Sequence, residues 1–122
     1  MEGKAKPGEV WTSERCYITE LLNEPALPDV SVARTRVEPD VTTELHSLDV
    51  LEVYVIECGR GLMRVGDAAP WPVGPGDTVT IPAHAPQQIT NCGDSDLIFQ
   101  CVCVPRFKRA SYTSLEPSGK HR

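Results

Sequence analysis

Apolar and polar residues alternate along several short stretches of the chain, which is the pattern of strands that bury one face. The stretches are rich in valine, isoleucine and threonine, which favour strands over helices. Glycine and proline separate them every few residues and leave little room for a long helix. The predicted strands are Cys16–Leu22, Val30–Val37, Leu51–Cys58, Leu62–Val65, Pro70–Val73, Thr78–Ile81, Gln87–Asn91 and Leu97–Val104.

The number and spacing of these strands predict an all-β domain, either a sandwich or a barrel. Cys16–Leu22 is the ambiguous stretch, because three of its apolar residues also fit a helical repeat. The prolines that follow soon after it favour a strand. The chain has 122 residues, and two cores would leave only about 60 residues for each, which is marginal. We therefore expect a single domain.

Both ends of the chain differ in composition from the middle. Residues 1–12 are polar with glycine and proline, which predicts a flexible N-terminus. Residues 109–122 carry one apolar anchor, Leu115, and then a polar end, which predicts a C-terminal tail that is mobile beyond about residue 116. The folded domain is accordingly expected at residues 13–108.

The charge balance and the cysteines limit the classes of function. Twelve Lys and Arg against 17 Asp and Glu give a net charge of −5, which argues against a nucleic-acid partner. No apolar run reaches the roughly 18 residues of a membrane span, and the start has no apolar stretch typical of a signal peptide. The five cysteines form no CxxC pair. We therefore expect a cytoplasmic protein with reduced thiols and no membrane association.

Two segments of the sequence resemble the two motifs of the cupin superfamily. The first, residues 46–59, keeps the motif's six-residue gap between Glu52 and Gly59. The second, residues 76–91, keeps the glycine-to-proline gap of five residues and has an asparagine in the motif's last position. The resemblance spans about residues 30–107 and implies a double-stranded β-helix, a jelly-roll barrel with a ligand or metal site in its mouth.

The resemblance also implies a metal site, although the ligand set is reduced. His46 takes the first histidine position, Leu48 the second and Gln87 the third. The family's three histidines and one carboxylate thus become His46, Glu52 and Gln87. Imidazole and carboxylate suit iron, manganese, nickel or zinc, whereas an amide oxygen is a weaker ligand. Three interpretations are open: a divalent metal, a hydrogen-bond network among these residues, or a surface position for His46.

Further candidates follow from strand alternation and from the turns. Glu52 and Tyr54 share one face of a strand, so Tyr54 is either a proton donor at the site or a core aromatic residue. His46 is an even number of residues from Glu52 and would share that face if the strand were continuous. Arg36 would suit an anionic ligand if it points inward; otherwise it lies on a solvated face. His84 replaces the second motif's glycine and is either over the mouth or an exposed turn residue.

Three functions are compatible with the resemblance. The first, which we favour, is a metal-dependent enzyme of the oxygenase or isomerase type that acts on a small polar or acidic metabolite. Glu52 and Tyr54 would be its catalytic residues, and Arg36, His84 and Gln87 would line its ligand pocket. The second is a non-catalytic cupin that binds a small ligand without a metal, as a sensor or carrier. The third is a structural role with a vestigial pocket. The resemblance further implies a homodimer.

Overall fold

Short β-strands are the main secondary structure of the molecule. The computed structural model describes residues 5–117. No helix in this range has the length and apolar character needed to cross a membrane. The strands are β1 (Val10–Trp11), β2 (Tyr17–Leu22), β3 (Ser31–Val37), β4 (His46–Leu48), β5 (Leu51–Cys58), β6 (Gly61–Val65), β7 (Trp71–Val73), β8 (Thr78–Ile81), β9 (Gln87–Asn91), β10 (Leu97–Val104) and β11 (Tyr112–Ser114), with a 3-10 helix at Arg109–Ser111.

The strands form two antiparallel sheets. The six-stranded sheet has the order β1-β2-β3-β10-β5-β8, and the five-stranded sheet has the order β11-β4-β9-β6-β7. The chain crosses from one sheet to the other several times, so neighbours in a sheet are often distant in sequence. This is the all-β jelly roll that the sequence predicts. All eight predicted strands are present, and four of them have the predicted bounds.

The core lies between the sheets and follows the alternation of the strands. In β5 every second residue is buried, beginning with Glu52 and continuing with Tyr54 and Ile56. From the facing sheet, Met63 and Ile89 are both fully buried. Burying a side chain of this size contributes about 1.5–3 kcal/mol. The inner face of β5 therefore holds one carboxylate beside the apolar core.

The structure corrects both predicted chain ends. β1 pairs with β2, and β11 pairs with β4, so each predicted end contributes a strand to a sheet. These strands have two and three residues, too few for alternation to be readable in the sequence. The domain thus extends beyond residues 13–108. Residues 1–4 of the predicted flexible N-terminus and residues 118–122 of the predicted mobile tail lie outside the described residues.

A homodimer is still a prediction, and the outer face of the six-stranded sheet is the surface we expect it to use. Val53 pairs with Val102, and Leu51 pairs with Val104; Leu51 and Val104 are 38% and 44% exposed. Val102→Lys at the centre of this face should shift a dimer to a monomer in sedimentation velocity. Leu62→Lys, on the other sheet and 40% exposed in the wild type, should not. A monomeric wild type contradicts the prediction.

Candidate functional site

A cavity of about 100 Å³ lies between the two sheets, near the start of β3 and β5 and the end of β10. An engineered cavity of roughly 150 Å³ admits benzene, so this one has room for a compact group of a few heavy atoms. Its apolar walls include Ile18, Ala33, Leu48 and Phe99. Its ionisable lining comprises Glu14, Glu20, Glu52, His46, three thiols and two tyrosines. No lysine or arginine of the described chain lines it.

Gln87 links the two sheets through a chain of buried hydrogen bonds. The Tyr54 hydroxyl donates to Gln87 Oε1 at 2.6 Å, and Gln87 Nε2 donates to Glu52 Oε1 at 2.8 Å. Gln87 is fully buried. Tyr54 is also stacked on Phe99, with ring centroids 4.3 Å apart. Both polar ends of Gln87 therefore have partners within the protein, and Gln87 fixes the positions of two cavity side chains without lining the cavity itself.

His46 is buried at the cavity wall, which excludes its interpretation as a surface residue. Its Nδ1 lies 2.7 Å from the carbonyl oxygen of Glu44, so Nδ1 carries the proton and Nε2 keeps its lone pair. The ring stacks on Tyr112 with centroids 4.7 Å apart. Nε2 lies 3.9 Å from a Glu14 carboxylate oxygen. Burial lowers the pKa of His46, so the imidazole is neutral at neutral pH.

Two carboxyl groups of the cavity titrate near neutral pH. Loss of hydration on burial raises the pKa of Glu52 to about 7, although hydrogen bonds from Gln87 and the neighbouring thiols favour its charged form. Burial also raises the pKa of Glu14 to about 7, and repulsion by Glu52 and Glu44 adds to the effect. The second Glu52 oxygen faces the Cys103 thiol at 3.8 Å. The Cys101 thiol is the other weak donor to this carboxylate.

The C-terminal segment covers the His46 side of the cavity. The Tyr112 hydroxyl donates to one oxygen of Glu44, and the Ser114 hydroxyl donates to the other. Glu116 then pairs with Arg15 at 2.7 Å, which joins this segment to the turn before β2. Sequence reasoning missed this wall, because its residues lie in segments without a readable repeat. Tyr112 and Ser114 are two residues apart and both bond Glu44, as expected for one face of a strand.

The predicted metal ligands do not fit a resident metal ion. Gln87 Oε1 accepts the Tyr54 hydroxyl, so the third predicted donor is already engaged. Burial raises the pKa of Cys103 to about 12, so this thiol is protonated and a poor ligand. Among residues 5–117, no three His, Cys, Asp or Glu side chains are placed to hold a metal ion. His46 Nε2 and the carboxylates of Glu14 and Glu52 retain lone pairs at the cavity without being arranged as a set of metal ligands.

The structure places Arg36 and His84 away from the cavity. Arg36 follows the cavity residue Thr35 on β3 and therefore faces the opposite side of the sheet. Its guanidinium pairs with Glu9 at 2.8 Å and with Asp96 at 3.2 Å. The hydrogen bonds from Arg36 lower the pKa of Glu9 to about 2. His84 is exposed in the turn between β8 and β9. Neither residue can contact a ligand inside the cavity as predicted.

Comparisons with known proteins bear on the fold and the family. The family model described as "Cupin domain" matches residues 33–104. A search of the curated proteins found no match. Among solved structures, an uncharacterised conserved Klebsiella pneumoniae protein with a double-stranded β-helix domain is 16% identical. The match has a TM-score of 0.73 and covers 87% of this chain and 89% of that one.

Two further solved structures have the same fold at low identity. Oxalate decarboxylase from Bacillus subtilis is 19% identical with a TM-score of 0.76, covering 93% of this chain but 33% of that one. The chain thus spans about a third of that enzyme's length. KdgF from a Halomonas species is 13% identical with a TM-score of 0.68, covering 86% and 87%. At these identities the likeness extends to the fold alone. Because the family model matches more than half of the sequence, the chain belongs to the cupin family.

Proposed function

We propose that this cupin binds a small molecule through a cationic or hydrogen-bond-donating head, with a short apolar body, in the cavity between its sheets. The observation that carries this proposal is the charge of the lining. Glu14, Glu20 and Glu52 line the cavity, and within the described chain no lysine or arginine accompanies them. Glu52 is the polar anchor, in the place where the family resemblance implies a metal.

The charge of the lining favours an amine over an acid. A carboxylate ligand would be repelled by the ionised forms of Glu14 and Glu52, at short range and in a low dielectric. A primary ammonium group would pair with them and offset the repulsion that they exert on each other. The acidic metabolite predicted from the sequence is therefore the less favoured ligand. An uncharged alcohol is intermediate, because it donates a hydrogen bond without adding charge.

The second Glu52 oxygen supplies the contact that the proposed head group needs. Apart from Gln87, the described side chains that bond Glu52 are two thiols, Cys103 at 3.8 Å and Cys101, and a thiol is a weak donor. Gln87 holds the other oxygen and so orients the carboxylate. The body of the ligand would contact the apolar walls at Ile18, Leu48 and Phe99. One polar anchor in a mainly apolar cavity is typical of small-molecule sites.

Three molecules of equal length test this proposal: n-butylamine, n-butanol and butyrate. Titrations followed by amide NMR should give at least a tenfold tighter Kd for n-butylamine than for butyrate, with n-butanol between them. Glu52→Gln should remove this preference. Glu57→Gln, on the same strand but facing outward, is the matched control and should retain it. The proposal would be contradicted if butyrate bound as tightly as n-butylamine. It would also be contradicted if Glu52→Gln and Glu57→Gln lost the preference for n-butylamine to the same extent.

The metal-dependent alternative is tested in the same titrations. Adding manganese, iron, nickel or zinc should leave the n-butylamine Kd unchanged, because Gln87 Oε1 is engaged by Tyr54. A metal-dependent gain in affinity that disappears in Glu52→Gln would favour the metal-dependent enzyme instead.

Acid–base catalysis is the second candidate function, and the pKa of Glu52 favours it. A carboxyl group with a pKa of about 7 can both donate and accept a proton at neutral pH. Glu52 would then move a proton to or from the bound molecule, while Gln87 holds the carboxylate in place. Deuterium uptake from heavy water into carbon positions of a bound ligand distinguishes catalysis from binding. Such uptake should be lost in Glu52→Gln and kept in Glu57→Gln.

A further inference from the structure

An open groove of about 960 Å³ lies directly outside the cavity. It adjoins the cavity, because five residues line both spaces. These shared residues are Glu14, Ile18, Glu20, Phe107 and Tyr112. A ligand longer than the cavity that passes between these shared residues would extend into the groove.

Three cations line this groove: Arg106, Lys108 and Arg109. They lie within four residues of one another, in the segment between β10 and β11. Lys108 and Arg109 are exposed. None of the three makes an ion pair with an acidic group of the described chain. This differs from Arg36, which is buried and paired with two acids.

The backbone that carries these cations is held firmly in place. Asn23 is the centre of the contacts, since its Oδ1 accepts from Arg106 Nε at 2.8 Å and its Nδ2 donates to the Phe107 carbonyl at 2.9 Å. The Phe107 amide donates to the Ser31 hydroxyl at 2.8 Å. Only Nε of Arg106 is used in these bonds, so its two terminal nitrogens can bind a ligand from a fixed position.

Charge is therefore separated between two adjoining spaces. Glu52 lies in the cavity, Glu14 and Glu20 line both spaces, and three cations line the outer groove. We propose that the outer groove is an anion subsite and that the ligand is zwitterionic, with an oxyanion on Arg106, Lys108 and Arg109 and a cationic head in the cavity. The position of the cationic head rests on the proposed function; the anion subsite does not.

The group that this subsite would bind is an oxyanion, either a carboxylate or a phosphate-like group. A guanidinium binds both in a bidentate manner, and a lysine ammonium adds a point charge. A single ligand that carries both charges gains affinity, because once one charged group is bound the other binds its subsite intramolecularly. Such a ligand should bind more tightly than either of its halves.

A series of linked probes tests the proposal. The probes are ω-amino carboxylates with two to six methylene groups, the aminoalkyl phosphonates of the same lengths, n-butylamine and inorganic phosphate. Amide NMR titrations on the wild type are compared with Lys108→Gln/Arg109→Gln. The control is Arg60→Gln/Arg64→Gln, which removes the same charge from two exposed arginines outside the groove.

The best zwitterion should bind the wild type at least tenfold more tightly than n-butylamine. In Lys108→Gln/Arg109→Gln this advantage should fall to twofold or less, with the n-butylamine Kd unchanged, while the control keeps the advantage. The proposal is overturned if zwitterions bind no more tightly than n-butylamine. It is also overturned if Arg60→Gln/Arg64→Gln reduces the affinity advantage of the zwitterion as much as Lys108→Gln/Arg109→Gln does. Failure of n-butylamine to bind, with phosphate still shifting the signals of residues 106–109, would reject the proposed function and support the anion subsite. The tighter of the carboxylate and phosphonate series identifies the oxyanion.

Discussion

Glu52→Gln should make the folded protein more stable at pH 8 and weaken the dependence of its stability on pH. Burial raises the pKa of Glu52 to about 7 in the folded state, against 4.5 for the unperturbed group. The folded state therefore binds this proton more tightly than the unfolded state. The corresponding stability is fully present below about pH 4.5 and is lost as the pH rises through about 7.

The expected size of this effect follows from the shift in pKa. A shift of one unit corresponds to about 1.4 kcal/mol, so the wild type should lose about 3 kcal/mol through Glu52 between pH 4.5 and pH 8. Glutamine keeps the shape and an acceptor oxygen but carries no charge, so Glu52→Gln should recover much of that loss. The pKa of Glu14 should fall as well, because the charge of Glu52 contributes to raising it.

Urea unfolding at pH 5 and pH 8 measures this effect, with Glu57→Gln as the control. The wild type and the control should be less stable at pH 8 than at pH 5, and Glu52→Gln should show a smaller difference. Glu9 contributes in a separate range, because its pKa is lowered to about 2 and its stabilisation is lost only as the pH falls below about 4.5. An unchanged pH dependence in Glu52→Gln would mean that Glu52 is ionised at neutral pH.

The same ionisation gives the proposed ligand a pH signature. An ammonium group pairs with the carboxylate form of Glu52, so the affinity for n-butylamine should rise as the pH increases through about 7. The affinity for n-butanol should change less, because an alcohol can bond to either form. The difference in pH dependence between the two affinities therefore distinguishes a site for a cationic head group from a site for an uncharged polar one.

Alternation and turn residues located the strands, because each long strand of this jelly roll buries one face. Strand alternation correctly placed Glu52 and Tyr54 on the same face of β5. It gave the wrong reason for the proximity of Glu52 to His46. The two residues do not share a strand: β4 and β5 belong to different sheets. They line one cavity because the sheets face each other. Because β4 ends at Leu48 and β5 begins at Leu51, the even number of residues between His46 and Glu52 does not indicate that they share a face.

Other parts of the site depend on contacts that no local pattern encodes. The motif placed Gln87 at a ligand position, but its bonds to Tyr54 and Glu52 depend on how the sheets pack. Arg36 could be assigned to a face only once Thr35 was known to point inward. Glu14 and Tyr112 come from segments outside the long strands, so nothing in the periodic pattern connected them with His46.

The chain of hydrogen bonds through Gln87 should be strongly cooperative. Gln87→Leu removes both bonds and leaves the Tyr54 hydroxyl and one Glu52 oxygen buried without a partner. Each unsatisfied buried group costs about 1–3 kcal/mol, so we expect a loss of about 3 kcal/mol in the free energy of unfolding. The pKa of Glu52 should rise further, because the Gln87 bond favours its charged form; carbon NMR of the carboxyl group measures this directly.

A double-mutant cycle with Tyr54→Phe separates this network from simple packing. In the wild type, Tyr54→Phe should cost about 1–2 kcal/mol, because it leaves Gln87 Oε1 without its donor. In the Gln87→Leu background the same change should cost nothing, since it removes a hydroxyl that has already lost its partner. Tyr112→Phe is the control, because its hydroxyl donates to Glu44 instead, and its cost should be the same in both backgrounds. If the costs of Tyr54→Phe and Gln87→Leu simply add, the two side chains act independently, and Gln87 would not be the residue that positions the cavity groups.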